Sequence, residues 1–204
     1  TARSFGLGSA TGIDLPGEPA GNLPGTGTST RPDGDTLGLA IGQARLTTTP
    51  LQIARMMALV ANGGQLVTPR LMASLGGDND RHSGSSQPQD VRPLEGLRPA
   101  TLEWIREGLH RVVHQPGGTG YKTVRTSVVT IAGKTGTAET GGGRPDHAWF
   151  AGYAPATNPR VAFVVVLEHA GSAGQTAGPV ARKFVETLHR EGLLGTPASR
   201  ELAN

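Results

Sequence analysis

Lys134, Thr135, Gly136 and Thr137 stand inside a run, residues 131–140 (IAGKTGTAET), that otherwise reads as an apolar strand. Side chains alternate along a strand, so Thr135 and Thr137 share one face and Lys134 points to the other, where neighbouring helices would pack. Two hydroxyls side by side can hold a carboxylate. Gly136 between them has no side chain, so an extended peptide can come close and pair with the strand backbone. The N–H of Thr137 can supply half of an oxyanion hole, a large contribution in acyl transfer. The Lys134 ammonium can assist proton movement around a nucleophile. Lys134 and Thr137 are therefore the candidate catalytic residues, and Thr135, Gly136 and Thr137 the candidate substrate-binding residues.

The sequence Gly-Lys-Thr also occurs in phosphate-binding loops, but those need a glycine five residues before the Gly-Lys pair and a helix after it. Here the first position is Val128, and Gly136 and a second strand follow. The other simple reading is a strand carrying a surface lysine, which three matching residues alone do not exclude.

The elements around this run follow from periodicity. Thr49, Pro50 and Gln52 make a capping box with proline at the first helical position. Leu51, Ile53, Ala54, Met57, Ala58 and Ala61 then recur at helical spacing. Asn62, Gly63 and Gly64 end that helix. Residues 65–72 read as a short extended segment. A second helix is predicted over 99–114, with Leu102, Ile105, Leu109 and Val112 as its stripe and Glu107–Arg111 as an i,i+4 pair. Three strands follow at 128–139, 147–155 and 160–170, joined by short turns and hence antiparallel. A last helix is predicted over 179–191, with Val180, Phe184, Val185 and Leu188 inward. The organisation is a Gly/Pro-rich loop at 1–38, a mainly helical part at 39–127 with a polar insert at 76–93, an antiparallel sheet plus final helix at 128–192, and a tail at 193–204. The fold class is α+β.

Composition narrows the function. The chain has 204 residues with 31 Gly and 15 Pro, so much of its length is turn and loop. Cysteine is absent, which excludes a disulfide framework and a thiolate metal site. The net charge of +3 comes from scattered basic residues, with no basic run interleaved with aromatics, so nucleic acid is not an expected partner. The longest apolar run, 161–167, is too short to span a bilayer. No signal peptide opens the chain, and the absence of an initiator methionine suggests part of a longer protein.

Several blocks in the same order carry a family resemblance: TGIDLPGE (11–18), GDTLGLAIGQ (34–43) with TPLQIARMMALVANGG (49–64), AGKTGTAE (132–139), HAWFAGYAP (147–155), and VVVLEH (164–169) with AGPVARKF (177–184). From about Phe5 to Leu188 the chain resembles the C-terminal part of the transpeptidase domain of class B penicillin-binding proteins. The wording of 34–43 is closer to the cell-elongation type than to the septal type. The resemblance implies the penicillin-binding and serine β-lactamase-like fold. It also implies a serine acyl-enzyme that cross-links peptidoglycan stem peptides ending in D-Ala-D-Ala and is acylated by β-lactams. No metal or organic cofactor is implied. Expected partners are the missing N-terminal part of the same domain and membrane proteins of cell-wall synthesis. The intact protein is expected to be membrane-anchored, with the catalytic domain on the outer face and no anchor in this chain.

The family's nucleophile lies in a Ser-x-x-Lys, with a Ser-x-Asn nearby. Lysines occur only at 122, 134 and 183, preceded three residues earlier by Thr119, Ile131 and Val180. Thr119–Lys122 reads as a glycine-rich loop. No asparagine has serine two residues before it. The expectation is that both motifs lie upstream and that this chain alone is inactive and, with 160–170 as an unpaired apolar edge, poorly soluble. Trp149 and Phe150 are expected to pack in the core, His147 to end a strand rather than bind zinc, and Glu139 to be solvated or paired. Gln43 is expected to brace its loop, where Ala44 and Arg45 replace a glycine usual in the family. Two other readings keep the fold: a non-catalytic module binding cell-wall peptide or a partner, and a D,D-carboxypeptidase or β-lactamase-like hydrolase.

Overall fold

A computed structural model describes residues 2–24, 38–71 and 90–195. The chain divides into two units, Thr1–Arg98 and Pro99–Asn204. Most of the polar insert, part of the first loop and most of the tail lie outside the described residues.

The first unit is built around helix α1 (Pro50–Ala61). Its start is the predicted capping box: the Gln52 N–H donates to Thr49 Oγ1 at 3.1 Å and the Thr49 N–H donates to Gln52 Oε1 at 2.9 Å. Its end is the predicted glycine pair, Gly63 at φ +89° and Gly64 at φ +91°. The buried face differs from the predicted stripe. Gln52 and Arg55 are buried beside Leu59 and Val60, although apolar periodicity skips both. Both serve backbone groups that need partners: Arg55 Nε donates to Val67 O, and Gln52 serves the irregular segment 2–24. Gln52 Nε2 donates to Ser9 O at 2.7 Å and Ala20 O at 2.8 Å. Asn22 and Thr47 exchange backbone hydrogen bonds of 2.8 and 2.9 Å, closing the same loop from its other end.

Within that loop Glu18 explains the block 11–18. Its carboxylate accepts from Thr11 N at 2.9 Å, Thr11 Oγ1 at 2.6 Å and Gly12 N at 3.0 Å. After α1 the chain forms β1 (Gln65–Val67), which pairs antiparallel with β2 (Val91–Pro93). The extended reading of 65–72 thus holds for its first three residues. Its pairing partner is the last three residues of the polar stretch, which carries no strand periodicity.

The second unit opens with α2 (Pro99–His114), at the predicted bounds. The Glu107–Arg111 pair is present at 2.6 Å and solvent-exposed. Leu102 and Val113 are the helix's buried residues, so Val113, absent from the predicted stripe, reaches deepest at its C-terminal end. Three strands follow: β3 (Ala132–Ala138), β4 (His147–Ala154) and β5 (Val161–Leu167), antiparallel in the order β3–β4–β5 as predicted. Helix α3 (Ala177–Arg190) closes the unit and packs on β4 and β5. The architecture is α+β.

The core of this unit lies between one sheet face and α3. Ala148, Phe150 and Ala154 of β4 and Phe163 of β5 meet Ala177, Ala181 and Val185, with Val113, Val124 and Ile131 beside them. The predicted inner face of α3 holds for Val185, which is buried, and Leu188, which packs against the core. Val180 is 44% exposed, and Phe184, 41% exposed, meets the sheet through Phe163 at 5.3 Å between ring centroids. Small residues let the helix approach closely: a Cβ on Gly178 would lie 2.5 Å from Thr123 Oγ1. A stripe read only from large apolar residues misses Ala177, Gly178 and Ala181.

Candidate active site

The run 132–138 forms an edge strand. β3 pairs on one side with β4, in a register that sets Lys134 opposite Ala151, Thr135 opposite Phe150, Gly136 opposite Trp149 and Thr137 opposite Ala148. Its outer side carries no strand partner among the described residues and so suits pairing with an extended chain, although Thr135 O already accepts from Lys134 Nζ.

Two glycines in this strand differ in what they are for. A Cβ on Gly133 would sit 2.5 Å from Phe150 Cζ and 2.6 Å from Ala151 O, so the fold itself requires glycine there. A Cβ on Gly136 would meet only Trp149 Cβ, at 3.4 Å, an ordinary contact. Gly136 also has no positive φ. The packing of this chain therefore leaves room for a methyl group that the sequence does not supply.

Register also sorts the side chains. Facing residues of an antiparallel pair share a sheet face, so Thr135 and Thr137 lie on the face of Phe150 and Ala148, beyond the edge of the core. Lys134 and Gly136 lie on the opposite face with Ala151 and Trp149. Lys134 is exposed, and its Nζ donates to Thr135 O at 2.9 Å. Thr137 is exposed and Thr135 partly so. The predicted core role for the Trp149–Phe150 pair divides in two: Phe150 is fully buried, whereas Trp149 is half-buried on the lysine face. Adjacent strand residues cannot both face the same core.

One contributor escapes sequence reasoning. Thr119 Oγ1 lies 2.7 Å from Thr135 Oγ1, so the two hydroxyls share a hydrogen bond. The loop that delivers Thr119 is fixed at both ends. Gly120 N–H donates to Val112 O at 3.0 Å, near the end of α2, and Val124 is fully buried in the core. The glycines there signal only a break in regular structure, and no spacing rule links residues 119 and 135. Helix α2 packs against β3, and His114 Nε2 lies 3.1 Å from Ile131 O, just ahead of the strand. Burial first, and then the neighbouring His110, hold the His114 pKa below the usual histidine value. At the far end of the strand pair, His147 Nδ1 accepts the His169 N–H at 3.0 Å, which uses that ring nitrogen in the turn.

The sequence matches the penicillin binding protein transpeptidase domain over residues 1–186. It is 34% identical to the peptidoglycan D,D-transpeptidase MrdA of Haemophilus influenzae, an alignment covering 90% of this chain and 31% of that protein. Among solved structures it superposes on penicillin-binding protein PBP2 of Helicobacter pylori in complex with MreC with a TM-score of 0.78, at 30% identity, over 94% of this chain and 35% of the other. The imipenem acyl-enzyme of penicillin-binding protein A from M. tuberculosis gives 0.70 at 30% identity, over 92% of this chain and 40% of that one. The chain spans about a third of the length of the curated relatives it matches, such as 31% of the Haemophilus protein. With the domain match running over nine-tenths of its residues and the edge strand carrying Lys-Thr-Gly, the chain belongs to the penicillin-binding protein transpeptidase family, class B.

Proposed function

We propose that this chain forms the carboxylate-binding wall of a serine D,D-transpeptidase that cross-links peptidoglycan stem peptides. The observation carrying this reading is Gly136: the fold has room for a side chain there, yet the position on an open strand edge is kept bare. A ligand backbone lying along β3 explains that vacancy; packing within the chain does not.

In this reading the D-Ala-D-Ala end of a stem peptide adds to the outer side of β3. The Thr135 and Thr137 hydroxyls hold the terminal carboxylate, with Thr119 orienting Thr135 as a positioning residue. A serine outside these 204 residues attacks the penultimate D-Ala carbonyl, since no Ser-x-x-Lys occurs here. The Thr137 N–H donates to the developing oxyanion. Lys134 favours proton transfer from the serine to the departing D-alanine amine. The amine of a second stem then attacks the ester, forming the new amide and freeing the serine. A β-lactam takes the same place, its ring opening onto the serine, as in the imipenem acyl-enzyme of the mycobacterial relative.

The likeness to MrdA and to the PBP2–MreC complex supports a cell-elongation role with a morphogenesis protein as partner. No helix among the described residues is long and apolar enough to cross a membrane. In this reading the anchor and the nucleophile belong to the rest of the protein, on the outer face of the membrane. Labelling with a fluorescent penicillin tests this. The 204-residue chain should give no covalent band, and the protein carrying the upstream Ser-x-x-Lys should give one. A band mapped to any residue of this chain would overturn the reading.

A further inference from the structure

A second feature lies in the first unit, away from β3 in sequence and independent of the transpeptidase reading. A cavity of about 800 Å³ is lined by the segment 3–12, by Arg55 of α1, and by residues of β1 and β2 with the turn after them. Three guanidinium groups line it: Arg3, Arg55 and Arg92.

Arg55 is the informative one. It is 6% exposed, with its head group in the wall of the cavity. Its Nε donates to Val67 O at 2.6 Å, and a Cβ on Gly6 would lie 3.3 Å from its Nη1. Among the described residues no other hydrogen bond reaches its guanidinium, and no carboxylate comes within ion-pair distance. Glu18 and Asp90 act on it only from farther away. Burial, and then the charge of Arg92, depress its pKa, and the two carboxylates oppose this. A largely buried cation with no carboxylate at ion-pair distance is an unfavourable arrangement, and an arginine cannot escape it by losing its proton. The neighbours in the wall do not supply the missing charge: three arginines stand against Asp90 and Glu95.

We propose that this cavity is an oxyanion site that takes a phosphate-class dianion on Arg55, Arg92 and Arg3. Planar guanidinium forks on three different segments suit a tetrahedral group that accepts from several directions, better than a single carboxylate plane. The hydroxyls of Ser4 and Thr68 in the same wall add neutral donors. Arg55 is the buried floor of the site, and Arg3 and Arg92, both exposed, are its mouth.

The test uses the intact protein and inorganic phosphate as the probe, in low-chloride buffer at constant ionic strength, read by calorimetry and thermal unfolding. Phosphate should bind saturably at one site and raise Tm, and Arg92→Ala, an exposed substitution, should weaken binding by about tenfold. Acetate should not compete; competition equal to that of phosphate would overturn the dianion assignment. Arg55→Met keeps the buried stem and removes the charge. It should abolish binding and, in phosphate-free buffer, raise Tm above wild type. A lower Tm for Arg55→Met without phosphate would show that the chain itself already compensates Arg55, and the proposal would fall. So would phosphate binding of unchanged strength in both variants, or no saturable binding to the wild-type protein.

Discussion

Gly136→Ala separates a glycine kept for the fold from one kept for a ligand. The added methyl would touch only Trp149 Cβ at 3.4 Å, with no positive φ to strain. Replacing glycine by alanine in a compatible backbone stabilises by about 0.4–1 kcal/mol through the unfolded chain, so Tm should rise by about 1–4 °C. Gly133→Ala, three residues earlier, is the internal control. Its methyl would enter Phe150 Cζ at 2.5 Å and Ala151 O at 2.6 Å, and overpacking of that kind costs about 1–3 kcal/mol. Activity should run the other way. In the intact protein a methyl at 136 pushes the ligand backbone off the strand edge and forfeits one or two hydrogen bonds of about 1 kcal/mol each. Acylation by penicillin, followed as a second-order rate constant, should fall by about 5–30-fold. If Gly136→Ala were as destabilised as Gly133→Ala, or were acylated at the wild-type rate, the argument from that bare position would be refuted.

Three further outcomes concern the first unit. Gln52→Ala removes two side-chain donors to loop carbonyls and half of a capping box, so it should cost about 3 kcal/mol and lower Tm by about 6–12 °C in a thermal melt. Ala44 sits at φ +63°, the left-handed region in which a Cβ costs about 1–2 kcal/mol; Ala44→Gly, less the extra unfolded-state entropy, should raise Tm by about 1–4 °C. At Glu18 burial works against the charge, but hydrogen bonds from the Thr11 hydroxyl and the N–H groups of Thr11, Gly12 and Ile13 outweigh it and hold the pKa below the ordinary value. A depressed carboxylate pKa contributes stability above the unfolded value of about 4.3 and loses it as pH falls through the folded pKa. The Tm gap between wild type and Glu18→Gln should therefore be open at pH 7 and close on acidification; a gap that persisted in acid would contradict this clamp.

What could be read from the sequence were the elements whose signals are local. The capping box at Thr49, the stop at Gly63 and Gly64, helix α2 with its Glu107–Arg111 pair, and the three antiparallel strands each depend on residues within a few positions of one another. What could not be read depends on contacts distant in sequence. Gln52 faces inward because a loop some 30–40 residues earlier needs donors, and Arg55 because Val67 O in the following strand needs one; no helical wheel records either need. α3 buries Ala177 and Ala181 in the core, where close approach selects small side chains, while Phe184 meets Phe163 with part of its ring exposed. Thr119 reaches Thr135 only because its loop is fastened to α2 and the core. In the run 134–137 the residue types pointed to a carboxylate cradle, but Gly133 and Gly136 look alike until the space around each is known. Ala44, where the family resemblance led one to expect glycine, nonetheless adopts the backbone conformation that glycine would favour.

The claim that the two hydroxyls of β3 recognise a carboxylate can be tested with one double comparison. Acylation rate constants of the intact protein would be measured with a penicillin and with its methyl ester, for wild type and for Thr135→Val/Thr137→Val. The account predicts that the double substitution slows the free acid by at least about tenfold and changes the ester little, because the ester has already lost the charge that the hydroxyls hold. An equal loss with both compounds, or none with either, would contradict it.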